Sequence, residues 1–593
     1  MADYKAPLKD ILFTLDHIVG IEELTAIPAF AEVTADLREA ILGEAGKFMG
    51  EVLAPLNVSG DQQGSELKND VVQTPAGFVD AYRQYAEGGW NGICGPVEFG
   101  GQGMPFALGV AVQEMMCSAN MAFGLCPMLT QGAVEAIMHH GTPEQHKKYL
   151  EKLVTGEWTA SMNLTESQAG SDVGALRTKA EPKGDGSYLI SGQKIFITFG
   201  EHDYTENIIH LVLARLPGAP AGTKGISLFI VPKYMVEEDG GLGWKNDLRA
   251  VSLEHKLGIH ASPTCVMAYG DNGNCIGYLL GEENQGMRCM FTMMNHARVN
   301  VGLQGVGIAE WAYQQALTYA GERVQGAPIG AKSKGEPILQ HADVRRNLLT
   351  IKAYTEAARA IAYLNAKAID MAHHLENTAA RAAASGLADL LTPLTKSFSS
   401  DIGVESASLA LQVHGGMGFI EETGVAQTLR DSRIAPIYEG TNGIQALDLA
   451  GRKLMSDGGA HWQALLAEIS AFAAAMPSGR EFGKISQGLA DACAATKEAA
   501  EFLYQQSGGN MRAVAAGATP YLRLFSMTVG AYLLARGALI ASKKIKENED
   551  DKAFYSSKIA IARFFTEQLL PPAIALLPAI TGGDENLFGI ELA

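Results

Sequence analysis

Cysteine is scarce in this chain and poorly placed for a disulfide frame. Among 593 residues there are seven (Cys94, Cys117, Cys126, Cys265, Cys275, Cys289 and Cys493), an odd number, scattered, with no CxxC pair. They read as reduced thiols of a cytoplasmic protein rather than as disulfides or a zinc site. A strict GxGxxG, a GxxxxGK[ST] and an HExxH are also missing, so a nicotinamide-type Rossmann site, a P-loop and a zincin have no support. Basic charge is outweighed, 47 Lys and Arg against 65 Asp and Glu. The resulting net charge of −18 disfavours general attraction to nucleic acid or to an anionic membrane. The start, MADYKAPLKDILF, has neither a secretory apolar core nor Arg-rich transit character. The apolar run from Leu524 to Ala535 is shorter than a bilayer span and is bounded by Arg523 and Arg536. The expectation is a soluble chain with no membrane insertion. Of the fourteen histidines, the neighbours His139-His140 and His373-His374 point in different directions on a helix. A solvated face suits them better than a metal, and no metal site is expected.

What is present is a change of period along the chain, which is too long for one ordinary core. A short N-terminal arm, 1–34, precedes a helical region, 35–157, whose segments LREAILGEAGKFMGEVL and TPEQHKKYLEKLVTGEW carry apolar residues at i, i+3 and i+4. Thr142, Pro143 and Glu144 predict a helix start. Between these helices GPVEFGGQGMP reads as a loop. From 158 to 285 the chain turns to short β-branched and aromatic runs, SYLISGQKIFITFG, NIIHLVLARL and GISLFIVPKYM. Asp185-Gly186 predicts a hairpin turn, since both residues can adopt positive φ. Helical period returns over 286–455, interrupted from Gly326 to Pro337, and predicts a bundle of long helices. A further helical module, 456–593, opens with Trp462, Leu465, Leu466, Ile469, Ala473 and Met476 on one helical face.

Three segments concentrate groups able to do chemistry. MNLTESQAGSDVGALRTKAE, 162–181, holds Thr165, Ser167, Gly170, Ser171 and Asp172, whose hydroxyls and backbone N–H groups suit a polar heterocycle or a phosphate. The same run also suits a plain turn. In GQKIFITFG, Phe196 and Ile197 can pack on a ring system while the Thr198 hydroxyl reaches a heteroatom, or the segment is simply a core strand. In DSRIAPIYEGTNGIQALDLAGRK, 431–453, Glu439 follows Ile434, Ala435, Pro436, Ile437 and Tyr438. A carboxylate among apolar residues is poorly solvated and becomes a better base. Gly440 leaves room for a ligand to approach the backbone. A surface glutamate at a helix start is the alternative.

In order and spacing these segments resemble the acyl-CoA dehydrogenase family, whose patterns are TExxAGSD, GxKxxIT, GGxGF and IYEGTxxIQ. Here they stand as TESQAGSD (165–172), GQKIFIT (192–198), GGMGF (415–419) and IYEGTNGIQ (437–445), and the likeness spans about residues 35–455. The arm and the C-terminal module further resemble an extended bacterial subgroup that includes 3-methylmercaptopropionyl-CoA and broad-specificity fatty acyl-CoA dehydrogenases. The resemblance implies a mainly α fold with a central, barrel-like β-domain between an N-terminal helical domain and a four-helix bundle, plus the C-terminal helical module.

It also implies the cofactor FAD, an acyl-CoA substrate, an electron-transferring flavoprotein as partner and a homodimer. Glu439 would be the catalytic base, with Gly440 beside the substrate. The backbone of Met162, Asn163 and Leu164, with Thr165, would contact the isoalloxazine, flanked by Phe196, Ile197 and Thr198. Across a family-type dimer, Arg323 and the stretch Gln412, Val413, His414, Gly415 and Gly416 would hold the pyrophosphate and adenosine. Ser171, Asn295 and Arg298 would serve the CoA moiety, and Thr441 and Asn442 follow the base at the cofactor. The implied reaction removes an α-proton to Glu439 and a hydride from Cβ to the flavin, giving a trans-2-enoyl-CoA. An oxygen-using oxidase and a non-catalytic scaffold are the rival family readings. The chain departs from the commonest family pattern at Ser167-Gln168 for Pro-Gly, Phe196 for Trp, Gly443 for Gln and Asn295 for Asp.

Overall fold

The helix Pro143–Thr155 begins as its sequence requires. The Thr142 hydroxyl accepts from the Gln145 N–H at 3.3 Å, the Gln145 side chain accepts from the Thr142 N–H at 3.0 Å, and Pro143 takes the first helical position. The computed structural model describes residues 3–330, 335–547 and 550–592. Residues 331–334 of the Gly326–Pro337 interruption lie outside the described residues.

Two compact units emerge, one of Phe48–Met104 and Ala119–Ala297, the other of Met1–Lys47, Pro105–Ser118 and Arg298–Ala593. The chain changes unit inside the helix Phe106–His140, where Asn120 leaves helical geometry at φ −159° and ψ 89°. The Asn120 side chain accepts from the Phe123 N–H at 3.1 Å, so the helix restarts with a cap of its own.

The first unit is built on a sheet. Its strands run Leu248–Leu253, Thr264–Tyr269, Tyr188–Thr198, Ile276–Leu280, Ile226–Pro232, Ile208–Arg215 and Thr159–Asn163 in spatial order. Lys179–Pro182 pairs antiparallel with Tyr188–Thr198 and parallel with Ile208–Arg215. That double pairing closes five strands into a ring, a small barrel without a free edge along the ring. Val212, Phe229, Val231, Ile190, Ile197 and Met267 are among the side chains that fill its core. The hairpin expected at Asp185-Gly186 forms. Gly184 and Gly186 hold positive φ, whereas Asp185 stays at negative φ and accepts from the Ser187 N–H at 2.9 Å. Two flanking glycines make the strained angles unnecessary at the aspartate.

In the second unit the helices Ala342–His374 and Thr378–His414 pack as a pair, with Gly286–Glu322 contributing from Arg298 onward. Small residues bring backbones together: a Cβ on Gly305 would stand 2.0 Å from the Ser399 carbonyl oxygen, and one on Gly302 would stand 2.6 Å from that of Thr395. The arm and the C-terminal helices share one apolar core with this bundle, since Phe13 and Ile18 cluster with Ala357, Ile361, Phe398, Phe525, Leu533 and Phe565. Trp462, Leu465, Leu466, Ile469 and Ala473 point into that core from the helix Ala460–Ala475, as their spacing predicts. The arm is also tied by charge, for Asp10 accepts hydrogen bonds from both Lys352 and Lys558.

Counted as helices rather than as apolar runs, three stretches among the described residues are long and apolar enough to cross a membrane: Phe106–His140, Met511–Lys546 and Lys552–Thr581. The first two are largely buried in protein, and the third lies mainly outside the core.

Candidate active site

In the β-unit, the strand Tyr188–Thr198 carries one residue more than its partner between the pairs Cys265↔Ile197 and Met267↔Lys194. This bulge takes Phe196 to φ 59°, a costly conformation for an aromatic residue, and turns its ring outward with 59% of its surface exposed. Ile197 points into the barrel core and Thr198 is half-buried. The segment after Thr159–Asn163 runs alongside: the Thr165 carbonyl accepts from the Ile195 N–H at 2.9 Å, and the Ser161 hydroxyl donates to the Thr198 carbonyl at 2.8 Å. Met162, Asn163, Leu164 and Thr165 are thereby gathered beside Phe196–Thr198. The Asn163 side chain is spent inside the barrel, accepting from the Tyr269 hydroxyl at 2.7 Å. Ser171 is exposed on the loop that follows, and Asn295 is exposed on the helix Gly286–Glu322.

A buried ion pair fixes this arrangement. Lys194 Nζ donates to Glu166 Oε1 and to the Leu164 carbonyl, each at 2.9 Å, while Glu166 also accepts from the N–H groups of Arg177 and Thr178 and from the Thr178 hydroxyl. Burial acts on Glu166 first, but Lys194 and the N–H donors outweigh it and take the carboxyl down to about 2. Burial takes Lys194 down to about 8, against the pull of Glu166. The two shifts differ in what dominates, and both leave the pair charged at neutral pH. Neither residue had been given a role from sequence, although both stand inside the quoted motifs.

In the helical unit, Glu439 sits on a loop between the helices Val425–Ser432 and Asn442–Asp448. The Asn442 N–H closes this loop on the Pro436 carbonyl at 3.0 Å, and the Thr441 hydroxyl caps the second helix by accepting from the Ile444 N–H at 3.2 Å. Glu439 and Gly440 both adopt left-handed angles, φ 55° and 83°. At Glu439 this stores about 1–2 kcal/mol of strain. Gly440 is glycine for its conformation and its neighbour, because a Cβ there would stand 2.8 Å from Gln445 Nε2.

Protein crowds the half-buried Glu439 carboxyl closely enough to remove most of its hydration, which pushes its pKa up to about 7. The cations Arg298 and Lys396 oppose that rise. Arg298 is 6% exposed and its Nη2 would lie 3.7 Å from a Cβ on Gly440. Lys396 is 0% exposed and donates to Asn442 Oδ1 at 2.8 Å. It is a residue that sequence reasoning missed. The available signal was a single lysine in the uncharged run Leu390–Ser400.

The remaining predicted residues gather elsewhere in the same unit. Tyr319 stacks on half-buried His414 with ring centroids 4.4 Å apart, and Arg323 is exposed one turn beyond Tyr319. Gln412 is exposed, whereas Val413 faces the core with Ala312, Ala316 and Val425. Gly415, at φ 59°, and Gly416 have open space where a Cβ would stand.

Family models for the acyl-CoA dehydrogenase N-terminal, middle and C-terminal domains match residues 36–157, 161–271 and 284–454. A model described as acetyl-CoA dehydrogenase C-terminal like matches 465–591. The chain belongs to the acyl-CoA dehydrogenase family. It is similar, at 46% identity over 99% of this chain and 100% of the relative, to a 3-methylmercaptopropionyl-CoA dehydrogenase of Ruegeria pomeroyi. Among solved structures, Caenorhabditis elegans ACDH-11 in complex with C11-CoA is 19% identical with a TM-score of 0.77, covering 96% of this chain and 92% of its own. An acyl-CoA dehydrogenase of Bacillus anthracis complexed with FAD is 24% identical with a TM-score of 0.73, covering 94% and 89%. These two likenesses establish the fold.

Acyl-CoA dehydrogenases are FAD-dependent oxidoreductases, and the residues present here fit that cofactor. The exposed Phe196 ring suits an isoalloxazine face. Gly415 and Gly416 leave backbone open to a phosphate, and the exposed Arg323 can supply the matching charge.

Proposed function

We propose that the enzyme dehydrogenates an acyl-CoA thioester across Cα and Cβ to the trans-2-enoyl-CoA, with Glu439 taking the α-proton. The observation that carries this reading is the carboxyl of Glu439, pushed up to about 7 on a closed, strained loop. A base with that pKa is substantially ionised near neutral pH and binds a proton far better than a free carboxylate. The α-proton of a thioester is very weakly acidic, so the forming enolate oxygen also needs a fixed donor. The Glu439 backbone N–H, held by the same loop, fills that role. FAD, when bound, supplies the acceptor for the hydride that leaves Cβ. Met162–Thr165 and Phe196–Thr198 would hold its ring system, and Arg323 with Gln412–Gly416 its pyrophosphate and adenosine. Ser171, Asn295 and Arg298 orient the CoA moiety, while Thr441 and Asn442 support the loop at the cofactor.

The substrate class we infer is the short acyl-CoA that 3-methylmercaptopropionyl-CoA exemplifies, supported by the 46% identity to the Ruegeria pomeroyi enzyme. An electron-transferring flavoprotein is the reoxidant. The active assembly is a homodimer, for which the exposed Met417, Phe419 and Ile420 beside Gly415 and Gly416 offer an apolar face. We read the location as cytoplasmic, a reading that seven free cysteines, six of them buried, support.

A flavin-absorbance screen across short, medium, long and methylthio-substituted acyl-CoAs tests the substrate class. Fastest bleaching by short and methylthio chains is expected, and a preference for long chains overturns it. Rapid hydrogen peroxide formation in air would replace the flavoprotein acceptor by oxygen.

A further inference from the structure

Asn442 is the pivot of the loop that carries Glu439. Its N–H closes the loop on Pro436, and its side-chain amide is gripped from the helix Thr378–His414. Lys396 Nζ donates to Oδ1 at 2.8 Å, and Nδ2 donates to Asp401 Oδ1 at 2.7 Å. An ammonium cannot accept and a carboxylate cannot donate, so the amide has one orientation only. Ser400 adds a further contact, its hydroxyl lying 3.0 Å from Nδ2. Among the described residues, the charged groups that act on Lys396 are Glu439 on the loop, Asp401 on its own helix and Arg298 on Gly286–Glu322. Arg523 of Met511–Lys546 and Glu405 act on Asp401, and Asp448 of Asn442–Asp448 acts on Arg298. From Ala342–His374 the uncharged Asn365 donates to the Thr395 hydroxyl at 3.1 Å.

We propose that Lys396 is a positioning residue for the dehydrogenation: it holds the Glu439 loop through Asn442 and supplies the buried positive charge that keeps the Glu439 carboxylate ionised until substrate arrives. The inference rests on Glu439 being the base. Three features of the site carry it together. The lysine has no solvent exposure, its donor reaches a residue three positions from the base, and its charge opposes the desolvation of that base. Burial outweighs the pull of the Glu439 and Asp401 carboxylates and takes the Lys396 ammonium down to about 7. The lysine and the base therefore stabilise each other's charged forms.

The test is the pH dependence of flavin bleaching by saturating acyl-CoA, measured on full-length, flavin-loaded Lys396→Met and Lys396→Arg between about pH 5.5 and 9. Removing the charge in Lys396→Met moves the acid limb up by about one pH unit, so the rate near pH 6.5 falls about tenfold and the deficit shrinks as pH rises. Lys396→Arg, which cannot lose its charge, keeps the limb at or below the wild-type position. An unmoved limb in Lys396→Met, including an even fall in rate at every pH, overturns the proposal, because a purely structural role predicts that result. If Lys396→Met does not retain flavin, Lys396→Arg decides alone, and an upward shift of its limb overturns the proposal. Glu439→Gln separates the two readings. If that variant bleaches normally the base assignment falls, whereas an inert Glu439→Gln with an unmoved Lys396→Met limb removes only the role of Lys396.

Discussion

The ammonium of Lys194 lies 2.9 Å from the carboxylate of Glu166 inside the β-unit, and the same ammonium holds the Leu164 carbonyl. One buried cation thus ties the two segments expected to flank the flavin to each other. Their spacing is fixed before any ligand binds.

Lys194→Met should therefore leave a buried carboxylate without its cation and destabilise the protein by about 3–5 kcal/mol, with loss of bound FAD. Urea unfolding of the full-length protein and the flavin-to-protein absorbance ratio measure both effects. Adding Glu166→Gln should recover much of the stability, since the uncompensated charge is then gone. A Lys194→Met protein as stable as wild type would show that the pair is not a structural tie.

Phe196 separates strain from binding. Phe196→Gly relieves a left-handed conformation worth about 1–2 kcal/mol while removing the exposed ring. The apoprotein should hold or gain stability while FAD dissociates several-fold faster, as followed by the fluorescence of released flavin. Unchanged retention of FAD would place the ring outside the flavin contact.

Glu439 makes stability depend on pH in the direction opposite to that of a salt-bridged carboxylate. Its folded pKa, about 7, lies above the ordinary glutamate value of 4.5, so the folded state binds more protons between those limits. The contribution favours folding at low pH and is lost as pH rises from about 4.5 to about 7. Glu439→Gln should match wild-type stability at the acid end and exceed it, by on the order of 1–3 kcal/mol, above pH 7. Denaturation midpoints of both proteins across that range would reveal it. A gap that does not widen with pH would contradict the raised pKa.

Asp10 links the arm to the C-terminal helices through Lys352 and Lys558. The two lysines hold its carboxyl well below the usual carboxylate range despite its burial. Its stabilising contribution is therefore complete above the unfolded pKa of about 3.9 and is lost progressively as pH falls below that value toward the depressed folded pKa. Asp10→Asn should cost about 3–5 kcal/mol, and hydrogen exchange should rise first in Lys552–Phe564. Faster exchange confined to the β-unit would argue against the link.

Local chemistry was legible in the sequence. Thr142 and Pro143 announced their helix, and the face from Trp462 to Ala473 was readable because period 3.6 depends only on neighbours. The ordered motifs led to the family, which the domain models and the Ruegeria pomeroyi relative then established. Long-range pairings were not legible. Closing the barrel depends on Lys179–Pro182 meeting two strands at once, and no local pattern states which strands those are. Lys396 and Asn442 lie 46 positions apart, and helical periodicity is silent about where one buried charge finds its partner. The same holds for Asp10 and Lys558, 548 positions apart. At Gly440 the sequence suggested room for a ligand, whereas the structure gives the glycine a left-handed conformation beside Gln445.

The most direct measurement of the central claim is stopped-flow flavin absorbance of Glu439→Gln mixed with an acyl-CoA that bleaches the wild-type enzyme. The amide keeps the size of the side chain and cannot accept the α-proton as a base. The variant should retain FAD and show no substrate-dependent bleaching. Bleaching at the wild-type rate would contradict it.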